Sequence, residues 1–422
     1  MDIDKINTAF HPAREIQNPE FFVGRKDEIK DGMIALSEKG SFIAVHGLRG
    51  VGKSSIAYQL KLIAEGNKSL PKMLKIDRYL PSKGYNYITV FISCDFFTKN
   101  VADLVKRILF GDNNSSSLFS YTKTGDRKIE QIKETYKASG SIGVMGTKIG
   151  GEGQSETTYG SYLSDDLIQQ FKQILGAIQK DNQKKDGVLI LIDEFDVLED
   201  KSGFSSLVKT CSSDFIKFGI SGIANTLTEL VYDHSSIGRQ LHSINVGRMP
   251  KEEMYGIIKR AEHHLGNKMT FAEDASHQII NHAEGFPYFV HLLGKESLME
   301  AFDNGQKIID INTIRALHDK ICSGRLRTTY EEVYHRSVKS SPQREILLKF
   351  FAEVEDNEIF SESVYANAKD LGVTNPSQLM KELTTPQDES VGVLTKIRDQ
   401  YYRFTDPVFK VYARLRNFKF NN

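Results

Sequence analysis

The residue pattern points to an α/β chain: a P-loop parallel sheet with helices on both faces, then a small all-helical lid and a C-terminal winged-helix domain. Three stretches carry that reading. One is Gly47-Leu48-Arg49-Gly50-Val51-Gly52-Lys53-Ser54, set between the apolar run Phe42-Ile43-Ala44-Val45 and a helical spacing of Ile56, Ala57 and Leu60. It reads as strand, phosphate-cradling loop, helix. Another is Gly187-Val188-Leu189-Ile190-Leu191-Ile192, an unbroken apolar run that suits a strand buried on both faces and ends in Asp193-Glu194. The last is a change of character at Pro250, after which the apolar residues recur at helical spacing.

At 422 residues the chain is long enough for two or three domains. The expected division is an N-terminal segment over 1–20, an ATPase domain over 21–248, a helical lid over 249–328 and a winged helix over 329–422. The 55 basic and 55 acidic residues cancel, which argues against a protein whose main work is non-specific adhesion to nucleic acid or anionic lipid. Cys94, Cys211 and Cys322 are too scattered for a disulfide framework or a zinc site and fit buried thiols in a reducing compartment. With no basic-then-apolar leader and no apolar run of spanning length, a cytoplasmic protein without membrane contact is expected.

In chain order, Phe21-Phe22-Val23-Gly24-Arg25 leads into a charged helix over 26–37 and suits a segment lying over a nucleotide base. In the glycine-rich loop, successive backbone N–H groups can turn inward around a phosphate. Lys53 reaches the β and γ oxygens of ATP, and the Ser54 hydroxyl can sit on Mg²⁺. Gly47, Arg49, Gly50, Val51, Gly52 and Ser55 complete the expected contact set. A turn over Leu80-Pro81-Ser82-Lys83-Gly84, a strand over 85–94 and a helix over 99–110 continue the alternation that indicates parallel strands with crossovers. That alternation is interrupted by an insertion over about 112–160, with a charged helix near 125–137 and a glycine-rich hairpin near 139–153.

An amphipathic helix over 164–180 precedes the acid-tipped strand. Asp193, at the carboxyl end where open sheets bind ligands, is placed to hold Mg²⁺ through water, and Glu194 to orient the attacking water. After the strand over 218–223, Asn225 is the first choice for a polar group touching the γ-phosphate, and Ser221 the second. Arg239, and after it Arg248, are candidates for a finger reaching a neighbour's nucleotide, a device worth about 10³–10⁵ in rate. Between them, Ser243-Ile244-Asn245-Val246 reads as a further strand.

Beyond Pro250, read as a first helical residue, Met254, Ile257, Ile258, Ala261 and Leu265 form one stripe, and Thr270-Phe271-Ala272-Glu273 reads as a capping box. Gly285-Phe286-Pro287 breaks the chain before another helix. Helices opened by Ser341-Pro342, Ser361 and Asn375-Pro376, followed by strands over 391–397 and 401–405, make a winged helix.

Taken together, Phe22-Val23-Gly24-Arg25, the two nucleotide motifs, Gly285-Phe286-Pro287 and the terminal winged helix resemble the AAA+ and STAND ATPases, and within them the archaeal-type ATPases near the replication initiators. The resemblance implies that ATP binds between the sheet domain and the lid, that Val23 and Pro287 flank the adenine, and that nucleotide state controls self-association or a partner. The lid helix from Tyr288 to Lys295 lacks the arginine usual at the second sensor, which shifts the resemblance toward the switch-like STAND branch.

The leading expectation is an ATP-binding switch that hydrolyses slowly and governs a homo-oligomer or a partner protein. One alternative is a DNA-binding initiator or loader; another is the ATPase of an intracellular defence system. From Tyr330 to Asn422 there are 13 Lys or Arg and 14 Asp or Glu, a net −1, and the third helix offers Lys381 beside Glu382. A duplex reader normally neutralises several phosphates, so DNA is the less favoured partner.

Overall fold

The computed structural model describes residues 3–111, 117–123, 127–138, 165–224, 230, 238, 240–323, 328–356, 358–385 and 392–417. The glycine-rich hairpin near 139–153 lies outside them. Two compact units emerge: residues 15–48 with 52–247, and residues 1–14 and 49–51 with 248–422.

The first unit is built on five parallel strands, β1 (Phe42–Gly47), β2 (Tyr87–Ser93), β3 (Gly187–Asp193), β4 (Ile216–Ile223) and β5 (Leu241–Val246), in the order β2-β3-β4-β1-β5. β1 and β3 are buried at every position, which is why they read as continuous apolar runs. β4 lies between them, pairing Ala44 and Ile192 with the same residue, Ile220. The register also sets Asp193 opposite Ser93 and Gly47 opposite Ile223, so the carboxyl ends of the strands finish at one edge. Helix Asp165–Asp181 buries Phe171, Ile174, Leu175 and Ile178 in a core shared with Ile88, Val90 and Ile190 of the sheet.

Helix Val101–Phe110 starts two residues later than expected, because the Asn100 side chain caps it by accepting from the Asp103 N–H. Burial pushes the Cys94 thiol up to about 12 and the Cys211 thiol up to about 11, so both are inert apolar fillers.

The second unit is predominantly helical. Its helices Lys251–His264, Glu273–Ala283, Pro287–Asp303 and Ile311–Cys322 are followed by Thr329–Val338, Pro342–Glu353, Ser361–Asp370, Pro376–Thr384 and Pro407–Asn417. Pro250 caps the first of these rather than opening it. The expected capping box is absent: Thr270–Phe271 is β6, paired in parallel with β7 (Ile308–Ile309), and Ala272 precedes the helix without a side-chain cap. The three helices expected at 341–385 are present, as is the hairpin of β9 (Leu394–Arg398) and β10 (Tyr401–Phe404), with β8 (Ile359–Phe360) added on the far side of β10.

Helix Pro407–Asn417 is an addition to the sequence expectation. It packs on the helices at 273–283, 311–322, 329–338 and 342–353, and its Arg414 forms an ion pair with Glu284. The N-terminal segment is anchored too. Phe10 is 1% exposed, edge-on to Phe271 and His291 and seated where Gly294 leaves room for its ring.

Candidate nucleotide site

The loop after β1 needs glycine for two separate reasons. At Gly47 a Cβ would lie 2.3 Å from the Val246 carbonyl oxygen, so the close approach of β5 forbids a side chain. At Gly52 the space is open but φ is +100°, a left-handed turn that delivers the chain into helix Lys53–Ala64. That helix presents its first N–H groups at the end of the loop, where an anion is favoured. Lys53, its first residue, is 8% exposed, and Nζ donates to the Leu48 carbonyl at 2.8 Å. The ammonium is therefore held over the loop.

Asp193 ends β3 in a buried position. Its carboxylate accepts from the Ser221 hydroxyl, and the Ser54 hydroxyl lies close enough to lower its pKa. Burial raises its pKa above the ordinary carboxylate range, opposed by these two hydroxyls, by the Glu194 N–H and by the Lys53 charge. Hence the two residues expected to hold Mg²⁺, far apart in the chain, lie close together. A hydroxyl and a carboxylate are hard oxygen donors, as that ion requires.

Glu194 is exposed and has φ +52°, a left-handed conformation uncommon outside glycine that turns the chain off the strand at once. Ser93, at the end of β2, donates to Glu194 Oε2 at 3.1 Å. The following turn is pinned from both sides. The Ile223 N–H donates to Asp196 Oδ1 at 2.7 Å, and Lys201 Nζ donates to the Asp196 and Leu198 carbonyls at 3.3 and 2.8 Å.

Two further anchors surround the loop helix. Ser55, expected to touch the nucleotide, accepts from the Ile16 N–H at 3.0 Å, and the buried Gln59 donates to the Ile16 and Gln17 carbonyls at 2.7 and 3.1 Å. Val23 is half-buried beside Arg25, which has φ +58° and is 5% exposed. Arg25 pairs with Glu28 at 2.9 Å and donates to the Gly247 carbonyl at 2.8 Å, fixing the Val23-Gly24 turn. Ser93 and Gln59 escape a reading of the sequence, since neither belongs to a motif; Ser93 is visible there only as a polar residue ending a β-rich run.

Arg49, Gly50 and Val51 group with the helical unit, where Arg49 lies 3.8 Å from Asp406. Pro287 is the first residue of its helix in that unit. Arg248 lies over the Phe286 ring, 5.0 Å from its centroid, and 3.9 Å from Glu284. Asn225 and Arg239 lie outside the described residues.

No protein-family model matches the chain, and no curated protein matches it. Among solved structures it is similar to Cdc6p from Pyrobaculum aerophilum, at 13% identity and a TM-score of 0.42, covering 98% of each chain. It is similar to the Aeropyrum pernix ORC2 protein in its ADPNP–ADP complexes, at 12% identity and a TM-score of 0.47, covering 99% of this chain and 97% of that one. The Thermotoga maritima RuvB Holliday junction branch migration motor gives 13% identity and a TM-score of 0.41, over 92% and 94%.

Proposed function

We propose that this chain binds ATP with Mg²⁺, hydrolyses it slowly, and uses the bound state as a switch for self-assembly or for engaging a partner protein. The observation that carries the reading is the closeness of Ser54 to Asp193, with Ser221 bonded to that carboxylate and the Lys53 charge acting on it. It brings a phosphate-cradling loop and a metal-binding acid to one point.

In this reading Lys53 leaves the Leu48 carbonyl for phosphate oxygens, and the N–H groups at the start of helix Lys53–Ala64 face the same oxygens. Ser54 and Asp193 would hold Mg²⁺, which would supply positive charge to offset that on the transferring phosphoryl group. Glu194 orients the attacking water, with Ser93 holding its carboxylate until a γ-phosphate is present. Val23 and Pro287 flank the base, Asn225 reaches the γ-phosphate, and Arg239 completes a neighbour's site. Residues 249–328 act as the lid and 329–422 as the part that meets the partner.

A protein partner is favoured over DNA by the wing itself. Lys396 pairs with Asp399 and Arg398 with Glu358, each at 3.0 Å, and Arg398 also stacks 4.0 Å from the centre of the Tyr401 ring. Lys396 and Arg398, which with Arg403 are the basic residues of the wing, are thus neutralised by acids before any phosphate arrives. The reading is tested by calorimetry with Mg²⁺ and ATP, with Lys53→Ala as control, and by mass in solution with and without a non-hydrolysable analogue. Heat that vanishes in the variant supports ATP binding, and absence of heat in the wild type overturns it. A mass independent of the analogue refutes self-assembly, and duplex binding that weakens steeply with salt favours the initiator alternative.

A further inference from the structure

The tip of the nucleotide loop is held by residues from the far end of the chain. Arg49, Gly50 and Val51 belong to the helical unit, whereas Leu48 before them and Gly52 after them belong to the sheet unit. Val51 is fully buried. Gly50, with φ +74°, is seated so closely that a Cβ there would lie 3.1 Å from Val408 Cγ2, 3.5 Å from Tyr288 Cβ and 3.7 Å from Phe286 Cδ1. Phe286 and Tyr288 stand at the start of helix Pro287–Asp303, and Val408 is the second residue of helix Pro407–Asn417.

The polar part of this seat is Asp406. Its Oδ2 lies 3.8 Å from Arg49 Nη1 and accepts from the Tyr330 hydroxyl at 3.3 Å. Its Oδ1 accepts from the Val408 N–H at 2.8 Å, so the same carboxylate caps the last helix. Tyr330 in turn meets the Tyr288 ring edge-on, with centroids 5.8 Å apart. One side chain therefore joins the loop tip to the first turn of helix Pro407–Asn417. Its hold on Arg49 is long and on an exposed guanidinium, whereas phosphate oxygens offer that planar fork several charged acceptors at once.

The geometry points to Asp406 as a latch on the nucleotide loop: it keeps Arg49 turned toward helix Pro407–Asn417, and a triphosphate in the loop draws Arg49 away and loosens the first turn of that helix. The inference rests on the ATP reading above and gives its site a regulation, a route by which nucleotide state reaches the C-terminal part of the chain.

The latch is tested in the full chain with Asp406→Asn, which keeps an acceptor for the Val408 N–H and the Tyr330 hydroxyl but removes the charge facing Arg49. An exposed ion pair shifts a local opening equilibrium by about two- to fivefold. Deuterium exchange of the amides at 408–413, without nucleotide, should be faster in the variant by that factor. Arg49→Gln should give the same rise, and the double variant no more than either alone, since both changes remove one interaction. Additive rises, no rise, or a rise confined to Asp406→Asn would overturn the latch. With Mg²⁺ and a non-hydrolysable ATP analogue, wild-type exchange in this stretch should rise at least about twofold, and the analogue should bind Asp406→Asn about two- to fivefold more tightly than the wild type. An analogue that binds by calorimetry, yet leaves wild-type exchange unchanged and has equal affinity for both proteins, refutes the relay. Absence of heat in the wild type removes the ATP reading instead, and the nucleotide-free comparison still judges the latch. Should Asp406→Asn fail to fold, Arg49→Gln alone decides it, by the presence or absence of the faster exchange.

Discussion

The sheet unit and the helical unit hold their key residues by different means. Around the nucleotide loop the work is done by backbone: Gly47, Gly52 and Glu194 adopt conformations or approaches that most side chains could not tolerate, and short polar contacts join strand ends already in register. In the helical unit it is done by side chains reaching across the chain, Phe10 onto Gly294, Arg414 to Glu284 and His318 to the Leu415 carbonyl. The first kind of information sits in short motifs. The second is spread over residues with no pattern in common, so the two units differ in how easily one substitution disables them.

That contrast can be tested from its largest expected consequence downward. Glu194→Gln should slow ATP hydrolysis by about 10²–10⁴-fold while leaving ATP affinity and thermal stability unchanged, as removal of a water-activating carboxylate does. Turnover at the wild-type rate in a phosphate-release assay would remove Glu194 from that role. Phe10→Ala, in the other unit, should cost about 3–5 kcal/mol in urea unfolding, because the ring fills a site walled by Phe271, His291 and Gly294. A loss under about 1 kcal/mol, on the order of an exposed substitution, would mean that the N-terminal segment is not anchored there.

Two smaller effects sharpen the picture within the site. Ser93→Ala removes one hydrogen bond to an exposed carboxylate, worth about 0.5–1.5 kcal/mol. Turnover should therefore shift by less than about tenfold, with ATP affinity unchanged; a total loss of hydrolysis would show that Ser93 does more than hold Glu194. In the proposed site Mg²⁺ would need the ionised form of Asp193, whose pKa burial raises. The Mg²⁺-dependent part of ATP binding should thus weaken on acidification at a higher pH than an exposed aspartate would give. Ser221→Ala, removing a donor to that carboxylate, should move the midpoint further up. A midpoint in the ordinary carboxylate range, read by calorimetry across pH, would contradict the buried setting.

How far the sequence can be read follows the same division. Strands β1 to β4 are visible in it, because each is a local run buried along most of its length, which removes polar alternation. The lid stripe is visible as well, since Met254, Ile257, Ile258, Ala261 and Leu265 are all buried. Helix Pro407–Asn417 is legible by the same rule, since Val408, Val411, Tyr412 and Leu415 recur at helical spacing and are all buried, although the sequence expectation stops at the hairpin before it. The capping box at Thr270 fails because Thr270 and Phe271 pair with Ile308 and Ile309, and the Phe271 N–H is taken by Glu262 at 2.7 Å. Such partners lie outside any local window.

Chemistry that depends on neighbours in the chain is therefore present from the start: a glycine-lined turn before a lysine and a serine, and two acids closing an apolar strand. Which groups meet is settled by folding. The insertion of β4 between β1 and β3 brings Ser221 to Asp193, the register of β2 brings Ser93 to Glu194, and the packing of helix Glu273–Ala283 on helix Ile311–Cys322 turns two distant histidines, His282 and His318, into neighbours. Strand order and helix packing arise from contacts between residues far apart in sequence, whose free energy appears only once the apolar faces have left water.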